Sequence, residues 1–354
     1  MRIAFYLNLQ GAGHCRRFEA IARHLPKDCE LAAVGMDGPP PVFDRDTDIG
    51  NRVKRVSLPS FAAPPDNPFL QQQTSNDYHG LAINRGGNAA FTLAMVSFLS
   101  EWQPDLLVVD VGLEASILAR MCGIPTVYAR QHGRRWDKGH TLAYEWACGL
   151  LAPFAMRMEQ HDCPPWIREK TFYSGGFCRF SGRSRPSTAP SDYAQDRPNL
   201  LVMTGFGGTE MTIGAIARAA SANPQWRWHL LGNYSEAEGV VSHGVVEDVW
   251  PYLCGADLAV ANVGHNATME IAAAGVPAVC IPAWRHFDEQ ICKAQVLEQL
   301  GLSVVLDSWP QADEWPKIWQ KSRKLSPNWT ALQDAKAPKR AAQYLARVAI
   351  NCIG

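Results

Sequence analysis

Apolar positions in the first half of the chain alternate between two periods. Short continuous runs in RIAFYLNL, ELAAVGM, DLLVVDVG and PTVYARQ read as strands buried on both faces. Between them, CRRFEAIARHL places Phe18, Ile21, Ala22 and Leu25 at i, i+3, i+4 and i+7, which is one face of a helix. AAFTLAMVSFLSEW and EASILARMCG read as further helices, stopped by Pro104 and Gly123. Residues 37–80, rich in Pro, Asp, Asn and Gln, read as irregular connections. Strand and helix alternating in this way predict a parallel sheet covered on both sides.

The pattern breaks at 176–198, where Ser, Pro, Gly and Arg give linker chemistry, and restarts with the strand NLLVMTG, the helix MTIGAIARAA and the strand WRWHLLG. The expected fold class is α/β, with two doubly wound, Rossmann-like domains, 1–175 and 199–335, facing each other across a cleft. Such sheets bind ligands at the carboxyl ends of their strands, so the cleft is the expected site.

Composition narrows the class without naming the chemistry. At 354 residues and 47% hydrophobic content, the chain buries a large core. Lys+Arg and Asp+Glu both number 34, so global charge points to no nucleic-acid partner. The ten cysteines form no C-x-x-C pair and read as small buried residues in a reducing compartment. The start has no secretory signal pattern, and no run of ~18 apolar residues suggests a spanning helix. The sequons at Asn233, Asn266 and Asn328 then read as chance matches, and the expected location is cytoplasmic.

The chemistry-bearing stretch is DLAVANVGHNATMEIAAAGVPAV, residues 257–279. A strand ends near Ala261, the chain turns through Gly264, and a helix begins with Asn266 as its expected N-cap. A helix N-terminus approached through a glycine suits phosphate, and Glu270, one turn in, suits a ribose. An ordinary capped helix with an early Glu fits the same letters.

Together with IPAWRHFDEQICKA, this stretch resembles the GT-B glycosyltransferases. The likeness is greatest to the UDP-sugar-dependent branch that holds the peptidoglycan lipid-intermediate N-acetylglucosaminyltransferases and the UDP-glycosyltransferases. Gly264, Asn266, Glu270, Gly275, Pro277, Pro282, Glu289, Gln290 and Ala294 fall in that family's register. The resemblance implies that Gly264, His265, Asn266 and Ala267 cradle a diphosphate, that Glu270 holds the ribose, and that Glu289 and Gln290 read sugar hydroxyls. It also implies a uracil grip by the backbone around Val246 and a glycine-rich loop, with Gly207 and Gly208, beside the diphosphate. Many members have a phosphate-binding His where this chain has Asn262. The last helix, 336–354, is expected to cross back onto the N-terminal domain.

The loop GAGHCRR, residues 11–17, follows the first strand. Its Gly13 is expected to clear space for the donor and its His14 to face the cleft as the general base, because an acceptor hydroxyl must lose its proton as it attacks. Asp110, ending DLLVVD, matches the aspartate that pairs with this histidine in the UDP-glycosyltransferases. A helix-capping His and an N-cap Asp are the plainer alternatives. Arg17, with Arg130, His132 and Arg134 from ARQHGRRWDKGH, is assigned to the acceptor side, with ordinary solvated positions as the plainer alternative. The D-x-D repeats at 44–48 sit in an irregular segment and are not read as a metal site, and no cofactor beyond the donor is expected.

The expected activity is transfer of a sugar from a UDP-sugar donor to an acceptor hydroxyl, inverting and without a metal. A lipid-linked sugar, a polysaccharide, a small molecule and a modified nucleic acid all remain open as acceptors, with peripheral membrane contact among the expected partners. Two rivals stay open. A UDP-sugar hydrolase or 2-epimerase of the same fold is one, since a hydrolase group carries a G-x-G-H-x-x-R loop matched by Gly11, Gly13, His14 and Arg17. A non-catalytic sugar-nucleotide-binding subunit is the other.

Overall fold

The structure, a computed structural model, describes residues 1–9, 13–38, 48–61, 85–186, 190, 193, 196–204, 209–325, 328–329 and 332–353. The first sheet contains β1 (Arg2–Leu7), β2 (Glu30–Met36), β3 (Val53–Leu58), β4 (Leu106–Asp110), β5 (Thr126–Ala129), β6 (Gly149–Ala152) and β7 (Thr171–Tyr173). Its seven strands run in the order β3-β2-β1-β4-β5-β6-β7, all pairs parallel. The second sheet contains β8 (Asn199–Met203), β9 (Arg227–Leu231), β10 (Val240–Gly244), β11 (Leu258–Ala261), β12 (Ala278–Cys280) and β13 (Val304–Val305). It is six-stranded and parallel, in the order β10-β9-β8-β11-β12-β13. Each order reverses beside its first strand, between β1 and β4 and between β8 and β11, and such reversals open a crevice at the strands' carboxyl ends.

Central strands are buried along their whole length because helices cover both faces; every residue of β4 and of β8 is buried. The edge strand β3 departs from the expected irregular stretch at 37–80, as does the short helix Asp48–Arg52 before it. An edge strand has one neighbour and tolerates outward charge, here Lys54 and Arg55, so VKRVSL lacks the apolar run that marks the central strands.

The helix Gly13–Ala22 buries Phe18, Ile21 and Ala22 against β1, with the Phe5 and Phe18 rings 4.9 Å apart. The last helix, Ala337–Ile353, buries Ala341, Leu345 and Ala349 in the same core, and Tyr344 stacks on Phe172 at 4.4 Å. The chain thus passes between the two sheets twice, and the crossings touch: Gly176 donates to Leu332 O and accepts from the N–H of Asp334, both at 2.9 Å.

Candidate functional site

The reversal of the first sheet brings the ends of β1 and β4 together. Asp110, the last residue of β4, is 3% exposed. A buried carboxylate needs a matched cation, and Arg17 supplies it: Nε donates to Oδ2 and Nη2 to Oδ1, both at 2.8 Å. His14 Nδ1 lies 3.1 Å from the same Oδ1 and 3.0 Å from Arg17 Nη2. Burial pushes the Asp110 carboxyl up, but Arg17 and then His14 outweigh it and hold the group well below the usual carboxylate range. The ionised Oδ1 is the stronger partner for His14 Nδ1–H, which leaves Nε2 as the ring's basic nitrogen. Val111, directly after Asp110, has φ 66°, a conformation that costs a β-branched residue energy and that clusters at functional sites.

Arg17 is therefore turned inward onto Asp110, not outward toward an acceptor. His14 and Arg17 are three residues apart on one helix face, and the strand end beneath that face carries the charge both can satisfy.

The second sheet offers the opposing wall. After β11, Gly264 is the N-cap of the helix His265–Ala274 and provides no side-chain acceptor for the first turn. Asn266, expected as the cap, is the second residue inside the helix. The expectation failed because the extended residue is Gly264 (φ −63°, ψ 153°), which moves the helix start forward. Gly275 closes the helix in the left-handed conformation (φ 67°). Gly13 faces this helix across the cleft, where a Cβ would lie 2.9 Å from Asn266 Nδ2. Gly13 thus clears room for the other domain's turn. The Arg17 charge also reaches His265, whose Nε2 is enclosed and has no hydrogen-bond partner among the described residues.

Glu270 is 6% exposed, and its Oε1 accepts from Arg179 Nε at 2.8 Å. Burial pushes its carboxyl up against the pull of Arg179. Arg179, absent from the sequence expectations, comes from the crossing segment and also donates to Glu247 O at 2.8 Å. Val246 is half-buried in the turn after β10, beside that carbonyl. Gln290 Oε1 accepts from Val263 N and Ala283 N, both at 2.9 Å, so this side chain ties the turns after β11 and β12 together. Asn262 Nδ2 donates to Ile281 O at 2.9 Å, and its Oδ1 has no partner among the described residues. Ala267 is partly exposed in the first helical turn. Gly207 and Gly208 lie outside the described residues, as do Gly11 and 44–47 of the D-x-D repeats.

Between the walls runs a strap. Arg135 Nη2 lies 3.0 Å from Glu289 Oε2, and its guanidinium sits 4.9 Å from the Phe287 ring centroid. The exposed Arg134 pairs with Asp288, and its N–H donates to Phe287 O at 2.7 Å. Phe287 and Asp288 take φ 61° and 55°, and a Cβ on Gly133 would come within 2.6 Å of Phe287 O. Glu289 is thus held by the other domain. Two acceptor-side expectations are corrected here. Arg130 is buried, with Nη1 2.6 Å from Glu159 Oε2 and 2.9 Å from Thr171 Oγ1, and His132 is buried with Nε2 2.8 Å from Met158 O. The basic run ARQHGRRW looks solvated as letters, but Arg130 follows β5 directly and the chain turns back beneath the cleft. Trp284, by contrast, is exposed, 4.9 Å from the His286 ring.

Among the described residues, no group of three or more His, Cys, Asp or Glu could hold a metal ion, and no helix is long and apolar enough to cross a membrane.

Residues 232–342 match the model of the glycosyltransferase family 28 C-terminal domain. The chain is 24% identical over 340 residues to an uncharacterized glycosyltransferase of Methanosarcina acetivorans, covering 86% of each. It is 26% identical over 283 residues to the UDP-N-acetylglucosamine--N-acetylmuramyl-(pentapeptide) pyrophosphoryl-undecaprenol N-acetylglucosamine transferase of Haemophilus ducreyi, covering 73% of this chain and 76% of that one. Among solved structures, a spinosyn rhamnosyltransferase complexed with thymidine diphosphate superposes with TM-score 0.66 at 14% identity, over 97% of this chain and 100% of that one. The glycotransferase of kitacinnamycin superposes with TM-score 0.65 at 17% identity, over 98% of each. At such identities the superpositions speak to fold alone.

Proposed function

We propose that this chain, a glycosyltransferase of GT-B fold with a family 28 C-terminal domain, transfers a sugar from a UDP-activated donor to an acceptor hydroxyl, with inversion and without a metal ion. The observation that carries the reading is the contact of His14 Nδ1 with Asp110 Oδ1 at 3.1 Å, opposite a helix whose first turn has no side-chain cap. The acceptor oxygen attacks the anomeric carbon, the bond from that carbon to the diphosphate oxygen breaks, and the acceptor's proton passes to His14 Nε2. Asp110 orients the ring and balances the imidazolium. The amides of His265, Asn266 and Ala267 and the helix dipole receive the charge on the departing diphosphate.

In this reading Glu270 uses the oxygen that Arg179 leaves free to accept from the ribose, and the backbone near Val246 meets the base. Glu289 and the amide nitrogen of Gln290 read the sugar, with Arg135 fixing the Glu289 carboxylate. The relatives named for UDP-N-acetylglucosamine support the uridine donor, and the lipid-linked acceptor in the same name makes a lipid-linked sugar the first acceptor to try, at the cytoplasmic membrane face.

The test is UDP release from UDP-N-acetylglucosamine and UDP-glucose, with and without a panel of acceptors led by a lipid-linked sugar, for wild type and His14→Ala. Acceptor-dependent release that collapses in the variant supports the transferase. Release at full rate without any acceptor would make the protein a hydrolase, and an unimpaired variant would remove His14 as the base.

A further inference from the structure

Helix Glu289–Gln299 turns the stripe Gln290, Lys293, Ala294 and Leu297 inward, at i, i+3, i+4 and i+7, and all four are buried. A lysine on a core-facing stripe is unusual, because a buried ammonium without a partner costs several kcal/mol. Lys293 is 2% exposed and has no hydrogen bond or ion pair among the described residues. The carboxylate whose charge it feels most is Glu289, and Oε2 of that group is already on Arg135.

The surrounding charges cancel in pairs. Arg17 is matched by Asp110 and Arg135 by Glu289, so the Lys293 charge is left over. The other groups facing it are His132 from the loop after β5, His265 at the start of the donor-side helix, and the Cys280 thiol at the end of β12. None of them supplies an anion at neutral pH: burial drives both imidazoles down, His132 to about 3, which leaves them neutral, and drives the thiol up, which keeps it protonated. His265 Nε2 also lacks a partner among the described residues. Two domains therefore converge on a spot that holds one uncompensated positive charge and an unsatisfied imidazole, next to an uncapped helix N-terminus.

We infer that Lys293 is the cation that receives the terminal phosphate of the nucleoside diphosphate donor, with His265 beside it. The inference rests on the donor reading above and adds to it the residue that tells a diphosphate from a monophosphate. Binding of the donor would supply the missing countercharge, and the buried ammonium would stabilise the charge that gathers on that phosphate as the sugar leaves.

The test is calorimetric binding of UDP and of UMP to wild type and to Lys293→Met, with thermal melting of both proteins. The variant should lose roughly tenfold or more of its UDP affinity and keep UMP affinity within about twofold, while melting without ligand at or above the wild-type temperature. A second readout needs no variant. Burial pushes the Lys293 ammonium down to about 8, so at pH 8.5 an anion that raises it draws in a proton. The terminal phosphate of UDP, with its last ionisation near ~6, is already fully ionised there. Titrations in two buffers of different ionisation enthalpy should show proton uptake with UDP and none with UMP. Equal losses for UDP and UMP, or a lower melting temperature with an unchanged UDP to UMP ratio, would make Lys293 structural and overturn the inference. Equal proton uptake with the two nucleotides would do the same. Absence of any nucleotide binding to the wild type would instead sink the donor reading itself.

Discussion

The two walls of the cleft are built on opposite electrostatic plans. On the first sheet, Asp110, Arg17 and His14 form a closed set in which both carboxylate oxygens are occupied and one guanidinium cancels one carboxylate. On the second sheet, the uncapped helix start at Gly264 and the buried Lys293 bring positive character without a matching anion, beside the neutral, unsatisfied His265 ring. A set that is complete without ligand can be held rigid for proton transfer. A set that is incomplete without ligand draws an anion in. In the proposed reading, the first copy of the fold serves chemistry and the second serves donor binding.

Breaking the closed set should have the largest effect. Asp110→Asn leaves the Arg17 guanidinium buried without its anion, a change that costs about 3–5 kcal/mol of stability in comparable buried pairs, readable as a lowered melting temperature. Turnover should fall by about 10³–10⁴-fold, since the imidazole loses both its orientation and its countercharge.

Acid should reproduce part of that loss. The Asp110 carboxyl is held low in the fold, so its stabilising contribution is complete above the unfolded value near ~3.9 and is lost as pH falls below it. Wild-type melting temperature should therefore drop steeply below about pH 4, and the Asp110→Asn protein should show a shallower drop.

His14→Ala should separate chemistry from folding. Turnover is expected to fall by about 10²–10⁴-fold, with the melting temperature changed by no more than about 1 kcal/mol's worth of stability. On the binding wall, Glu270→Ala should weaken UDP by roughly tenfold, the loss of a ribose contact to a charged group, measured by calorimetry.

Arg134→Ala should matter least. Its pairs with Asp288 and Asp162 are exposed, so stability should move by less than about 0.5 kcal/mol in denaturant melts.

Much of this was legible in the letters. The central strands carry their apolar runs, and the strand-turn-helix from β11 through Gly264 to Glu270 is readable because its spacing is local. What could not be read is partnership between distant segments. Arg17 looks like a solvated first-turn residue until β4 places Asp110 beneath it, 93 residues away in sequence. Arg179 looks like linker and in the fold holds Glu270. Arg130 looks like a basic surface and is an interior ion pair with Glu159. Lys293 did leave a signal, as the charged member of an otherwise core-facing stripe, and periodicity alone could have raised it. β3 was missed because an edge strand need not be apolar.

The division of labour is tested most directly by calorimetric titration of UDP, with ADP, GDP and CDP as controls, into the wild type, His14→Ala and Glu270→Ala. It needs no acceptor. The account predicts uridine-selective binding that His14→Ala leaves within about twofold and Glu270→Ala weakens by roughly tenfold. Binding lost in His14→Ala and kept in Glu270→Ala, or no preference for UDP over the other nucleotides, would contradict it.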